Sequence, residues 1–305
     1  MIDRRAALAA GITVVLWASA FVGIRDLADT FSPGSIALGR LAIGTGLLGV
    51  LLLRRGWRPM SRRDVLLVAT SGVLWLALYN LSLNEAERSV DAGTASMLVN
   101  TGPILVAAFA GLLLGEGLPR RLLVGLAVAF AGAIVIGVAT SEATFGPAPI
   151  TGIVLCLVAA VAYALGVTAQ KPATRNVSAL QLTWLAFAVG FVVCLPFGPA
   201  LVTETSAALG AGAVGKLGWL VYLGVFPTSI GFTTWAYALS RTTAGRLGIT
   251  TYLIPPVAIV IAWLLLGEVP PLLAIAGGVL CIAGVVIVRA GGLLRPRPAA
   301  VAAAD

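Results

Sequence analysis

The residues able to do chemistry in this chain are hydroxyls, amides and aromatic rings set inside long apolar runs. Trp17 and Ser19 lie in the first run, Tyr79 and Asn80 in the third, and Asn100 and Thr101 in the fourth. Tyr163 lies in the sixth, Thr233 in the eighth, and Thr251 and Tyr252 in the ninth. Such groups bind a solute by hydrogen bonding and stacking; they make poor nucleophiles and poor metal ligands. The chain has no histidine, which removes imidazole metal sites, Ser-His triads and imidazole proton relays together. No Asp or Glu falls in the middle of an apolar run, so no buried carboxylate is at hand for proton or cation coupling. Cys156, Cys194 and Cys281 are isolated and read as small packing residues. The expectation is no catalytic residue, no metal and no cofactor, and a site for a small neutral or zwitterionic, partly apolar solute.

Prolines mark where that site is expected. Pro103 in the fourth run and Pro255 in the ninth occupy matched positions, and Pro256 follows the second. A mid-helix proline frees the carbonyl four residues back, here those of Val99, Thr251 and Tyr252. Freed carbonyls at membrane depth are tolerated where they line a cavity or meet a neighbouring helix. Each nearby polar side chain therefore has two readings, a solute contact or a satisfied kink, and the symmetric placement favours solute contact for some of them. Thr228, Ser229, Thr234 and Trp235 add polar groups to the eighth run, where hydroxyls also bond back to their own helix. Arg40 is the one ionisable residue well inside a run. It has no acidic partner at its depth and lies about two turns from the helix start, within snorkelling reach, so it reads as structural.

The elements that hold these residues follow from composition. Of 305 residues 59% are hydrophobic and 10% charged, against roughly 25% charged in soluble domains. Runs of about 20 apolar residues suit helices crossing a bilayer core of roughly 30 Å. The reading is an all-α integral membrane protein with ten transmembrane helices, near 6–25, 33–53, 65–83, 91–114, 120–139, 150–170, 179–200, 215–236, 243–266 and 271–289. The first run lacks a cleavage site and reads as a retained span. With the N-terminus inside, inner segments hold sixteen Arg or Lys residues, and outer loops hold three: Arg25, Arg88 and Lys216. That asymmetry puts both termini on the cytoplasmic face, with residues 291–305 as a short tail. The net charge of +8 thus reflects topology and no nucleic-acid partner is expected.

The chain repeats itself. Ala92-Gly93, Pro103, Leu112-Leu113-Leu114-Gly115-Glu116 and Pro119 recur 152 positions later as Ala244-Gly245, Pro255, Leu264-Leu265-Leu266-Gly267-Glu268 and Pro271. Five spans per copy is an odd number, so the second copy must be inverted, giving two inverted five-helix repeats at 5–139 and 150–290. Arg120 and Arg121 become Leu272 and Leu273, as a swap of sides requires. Gly125, Ala129 and Ala133, echoed by Gly277 and Cys281, form a small-residue stripe for close packing within the chain or in a homodimer.

Together with Trp17-Ala18-Ser19-Ala20-Phe21 and Arg40, these motifs make the chain resemble the ten-helix EamA branch of the drug/metabolite transporter superfamily. The resemblance covers residues 5 to 290. It implies a carrier in the bacterial inner membrane, often an exporter of amino acids or other small metabolites. It further implies a central cavity between helices one, three, four, six, eight and nine. The functional expectation is a secondary transporter of an amino-acid-like solute working by alternating access. A membrane-embedded enzyme lacks an acid/base pair or nucleophile at depth, and a non-transporting scaffold gives no reason for matched prolines beside polar groups. The topology yields a direct test. A C-terminal fluorescent reporter active only in the cytoplasm should glow, and a cysteine replacing Ser141 should react with an impermeant thiol reagent; a dark reporter would overturn the ten-span count.

Overall fold

The computed structural model describes residues 4–27, 29–86, 98–140, 150–266 and 272–289. Regular structure among them is entirely helical. Ten helical stretches result: α1 (Arg4–Leu27), α2 (Pro33–Arg55), α3 (Arg62–Ala86), α4 (Gly102–Leu113) and α5 (Arg120–Thr140), then α6 (Ile150–Ala173), α7 (Ala179–Gly210), α8 (Val214–Leu239), α9 (244–266) and α10 (Leu272–Arg289). Five of them, α2, α3, α6, α7 and α8, are long and apolar enough to cross a membrane by length and composition. The expected first part of the fourth span, 91–97, lies outside the described residues, as do the 291–305 tail and Glu268.

Local chemistry sets the helix starts. Pro33 stands in the first turn of α2, where a missing N–H costs nothing. Ser61, Ser178 and Thr243 cap α3, α7 and α9, each accepting a backbone N–H three residues on. Connections then meet at two ends of the bundle. At one end Gln181 Nε2 donates to Arg58 O (2.7 Å), tying the α2–α3 connection to the start of α7. Glu116, after α4, and Lys171, late in α6, both reach the α8–α9 connection there. At the other end Glu204 in α7 accepts from Ser32 N (2.9 Å), and Lys216 in α8 pairs with Asp26 in the last turn of α1 and with Asp29 just after it. Successive helices therefore alternate in direction.

The two halves share a helix rhythm. α1 and α6 are both 24 residues long and begin 146 positions apart, as do α2 and α7. From the third helix the interval is 152: Arg62 and Val214, Gly102 and Ile254, Arg120 and Leu272. Both α3 and α8 contain a seven-residue π-helical stretch, Gly72–Leu78 and Gly224–Ile230, again 152 apart. Pro227 inside the second removes a helix N–H, a common reason for a widened turn.

α5 and α10 pack along their length and run antiparallel. A Cβ on Gly132 would lie 2.6 Å from Gly277 O, and one on Gly125 would lie 2.7 Å from Gly284 O. Cys281 Sγ sits 3.5 Å from Ala129 O, midway along the same seam. The small-residue stripe is thus used within the chain, where small side chains let two backbones touch.

Two expectations need correction. The prolines do not kink a continuous α-helix. Pro103 falls in the first turn of α4, after a turn at Asn100–Thr101, and Pro255 and Pro256 follow a 3-10 stretch, Ile249–Leu253, at the start of an α-helical segment from Ile254. α-Helical hydrogen bonding is interrupted before each proline, by a turn in one case and by a 3-10 stretch within α9 in the other, and the ring then stands in the first α-helical turn, where its lost N–H is harmless. The seventh helix is also longer than read, continuing past a 3-10 turn at Leu195–Phe197 to Gly210.

Candidate functional site

Six aromatic rings from four helices meet inside the bundle. Trp17 of α1 lies 5.9 Å from Trp75 of α3, 5.0 Å from Phe232 and 5.1 Å from Trp235 of α8. Trp75 in turn lies 5.5 Å from Tyr163 of α6 and 4.9 Å from Phe232, and Tyr79 lies 6.0 Å from Tyr163. Tilted and edge-on pairs at these separations are the favoured aromatic geometry. The π-helical stretches position much of the cluster. Trp75 sits within the one in α3, and Trp17 Nε1 donates to Pro227 O (3.2 Å) within the one in α8.

Most polar atoms around the cluster are satisfied locally, and two are not. Tyr163 Oη and Trp235 Nε1 are buried and have no hydrogen-bond partner among the described residues. An unpaired polar atom in a dry interior costs about 1–3 kcal/mol. Both of these atoms belong to the one cluster of rings. Beyond the cluster a cavity of about 590 Å³ opens at the end of the bundle that carries Arg55 and Arg58, and its wall includes Thr233, Thr234 and Tyr237.

Of the residues expected to contact solute, Trp17, Tyr79 and Tyr163 come together here, with Thr251 beside Tyr163. Thr233 borders the cavity, and its hydroxyl donates to Ser229 O (2.7 Å). Asn80 turns its amide back to Leu76 O (2.9 Å) and Trp75 O (3.3 Å), acceptors left by the π-helical stretch. Thr101 and Thr251 donate to Leu98 O and Gly248 O, both at 2.7 Å. Ser19 stands apart, bonded to Leu16 O (2.8 Å) and to Tyr222 Oη (2.7 Å). Tyr252 is fully buried among α5 and α10 residues, its hydroxyl on Asn100 O (2.7 Å). The carbonyls of Leu98, Asn100 and Gly248 are thus met by Thr and Tyr hydroxyls of the protein itself.

Sequence reasoning passed over Trp75, Phe232 and Tyr222. The available signal was depth, since aromatics far from a span end are not interfacial anchors. Arg40 also departs from expectation. Its side chain turns into the bundle, where Nε donates to Thr228 Oγ1 (3.0 Å).

A polar closure spans the arginine-rich end. Glu116 accepts from Ala244 N (3.0 Å) and Gly245 N (3.3 Å), the first residues of α9. A carboxylate is favoured there, where unpaired N–H groups and the helix dipole converge. Lys171 Nζ donates to Leu239 O and Thr242 O, capping the end of α8 with a cation.

With this geometry in view, comparison with known proteins is decisive on family. The model of the EamA-like transporter family matches twice, over residues 4–138 and 150–290. The chain belongs to the EamA-like transporter family. The transporter is 37% identical over 94% of its length to the "Probable terminal-alkyne amino-acid exporter" of Streptantibioticus cattleyicolor, covering 94% of that protein. It is 30% identical over 90% of its length to an uncharacterized transporter of Bacillus subtilis, covering 87% of it. The pseudopaline exporter of Pseudomonas aeruginosa is 29% identical, with 85% of this chain and 87% of that one aligned. A crystal structure superposes with a TM-score of 0.74 over 92% of this chain and 95% of the other, at 18% identity, which speaks to fold. The transporter is accordingly a multi-pass membrane protein built from two EamA repeats.

Proposed function

We propose that this protein is a bacterial inner-membrane secondary transporter that exports a small neutral or zwitterionic, amino-acid-like solute. It works by alternating access between two inverted repeats, 5–139 and 150–290, with both termini cytoplasmic. The observation that carries the reading is the aromatic cluster in the middle of the bundle, with two polar atoms, Tyr163 Oη and Trp235 Nε1, that meet no hydrogen-bond partner among the described residues. Rings on several sides favour an apolar or cationic part of a solute, and the open hydroxyl and indole N–H favour its polar part. Inversion is supported by the antiparallel contact of α5 with α10, since these are the fifth helices of the two halves. Trp17 and Tyr163 share the 146-position interval of their helices, so the two repeats offer the cluster one ring each from equivalent places. Export of amino-acid-like compounds agrees with the printed names of the S. cattleyicolor and P. aeruginosa relatives.

The test is reconstitution in proteoliposomes with uptake of a labelled amino-acid panel, comparing wild type, Trp17→Ala and Tyr163→Phe. Because the Tyr163 hydroxyl has no hydrogen-bond partner among the described residues, its removal should leave folding intact and weaken apparent solute affinity about 3- to 10-fold. Trp17→Ala removes ring contacts and the bond to Pro227, and should lower transport further. Wild-type kinetics in Tyr163→Phe would show that the hydroxyl is only packed.

A further inference from the structure

Among the described residues, the Arg40 cation inside the bundle meets no anion. Arg40 sits on α2 with Ile36, Ala37, Leu41 and Gly44 buried around it. Its guanidinium carries five N–H donors, and Thr228 Oγ1 takes the one on Nε. Among the described residues no carboxylate pairs with it. Their acids, at positions 26, 29, 64, 85, 116 and 204, stand at helix ends, in connections or in the outward extension of α7. A guanidinium kept inside a membrane protein and turned away from the nearer end of its helix is costly unless an anion joins it. Fixing Nε on Thr228 orients the planar fork and leaves both Nη groups, the pair that grips a carboxylate through two parallel bonds.

Arg40 also borders the solute site. Tyr79 lies within electrostatic reach of its charge and pairs with Tyr163 in the aromatic cluster. Thr228 lies in the same π-helical stretch that accepts from Trp17, and Phe187, which packs beside Thr228 at Gly44, contacts Phe232. We infer that Arg40 binds the carboxylate of the transported solute, placing the remainder of the molecule among the rings. This rests on the transport reading above and sharpens it: the solute bears a carboxylate, and a free amine finds the aromatic faces and the Tyr163 hydroxyl. The orientation of Arg40 by Thr228 then makes Thr228 a positioning residue.

The test compares an amino acid with its own carboxamide, L-norleucine against L-norleucinamide, in proteoliposomes holding wild type, Arg40→Gln or Arg40→Lys. Wild type should favour the acid about 10- to 100-fold, the range for losing a charge-assisted bond. Arg40→Gln should erase that preference, and a wild-type melting temperature and detergent size-exclusion profile certify that the variant is folded. Arg40→Lys should fall between, since an ammonium keeps the charge without the fork. Acid preference retained in Arg40→Gln would overturn the assignment and leave the transport reading standing, as would a wild type that carries both compounds equally. A wild type that moves neither of these nor any of the amino-acid panel would defeat the transport reading, and the assignment with it.

Discussion

Gly132→Leu and Gly277→Leu should each abolish recovery of folded protein. The two glycines face one another across the α5–α10 seam: a Cβ at Gly132 meets Gly277 O at 2.6 Å and Cys281 N at 2.7 Å, and a Cβ at Gly277 meets Gly132 O at 2.7 Å. Both obstacles are backbone, which has no rotamer to swing away. Overpacking against side chains costs about 1–3 kcal/mol; here a whole helix must move, and with it the interface that joins the ends of the two halves. Even alanine should lower the melting temperature measurably. Gly46→Leu is the control, since nothing lies within 4 Å of its Cβ position. Detergent size-exclusion with a fluorescent tag gives the readout: a monodisperse peak for Gly46→Leu and loss of that peak for the seam variants. A Gly277→Leu protein with the wild-type profile and melting temperature would mean that α5 and α10 do not touch as described.

The second large effect is expected at Glu116. Its carboxylate holds two backbone N–H groups at the start of α9, an arrangement worth about 1–2 kcal/mol by analogy with helix caps. Glu116→Ala leaves those donors without an acceptor and takes the negative charge from beside Lys171. The arginine-rich end should then open about tenfold more often, since 1.4 kcal/mol is one decade in an equilibrium. A single cysteine placed at Thr251, buried beside Tyr163, reports this opening through its rate of thiol modification. Glu116→Gln should open less than Glu116→Ala, because one amide oxygen still accepts. Equal modification rates in all three backgrounds would show that the carboxylate is an ornament of the loop and carries no part of the closure.

Much of this fold was legible in the residues. The apolar runs placed the helices, because a bilayer leaves the backbone few alternatives. The Leu-Leu-Leu-Gly-Glu repeat announced two copies, and the matching 152-position interval reappears in the starts of α3 and α5 against α8 and α10, and between Gly102 at the start of α4 and Ile254 within α9. The site was only partly legible, for reasons of physics. Helical periodicity reveals a buried face by contrast with polar residues, and a lipid-facing side offers no such contrast, so Trp75 and Phe232 looked like any other apolar residue. A π-helical turn has no residue signature, and it is the π-helical stretches that bring Trp75 and Pro227 to Trp17. Hydroxyls were overcounted as solute contacts because their own backbone competes for them, as Thr101, Thr233 and Thr251 illustrate. Arg40 was read as reaching outward, since spacing along α2 gives its depth and leaves open the side to which the head turns.

The long seventh helix has a consequence for the energetics of the cycle. Its continuation beyond Leu195 lays Phe197 over Gly34 and clasps the start of α2 through Glu204 and Ser32. The first half has no counterpart, for α2 ends at Arg55 and the chain enters α3 seven residues later. A carrier made of two identical inverted halves would be degenerate: its two access states would exchange into one another by rotation and hold equal free energy. This one-sided clasp lifts the degeneracy. Whatever free energy it gains or loses as the halves rock becomes a standing bias between the empty carrier's two states, and each 1.4 kcal/mol of it shifts their ratio about tenfold. If the transporter cycles by alternating access as proposed, its resting side is thus biased by a stretch of helix at one end of the bundle.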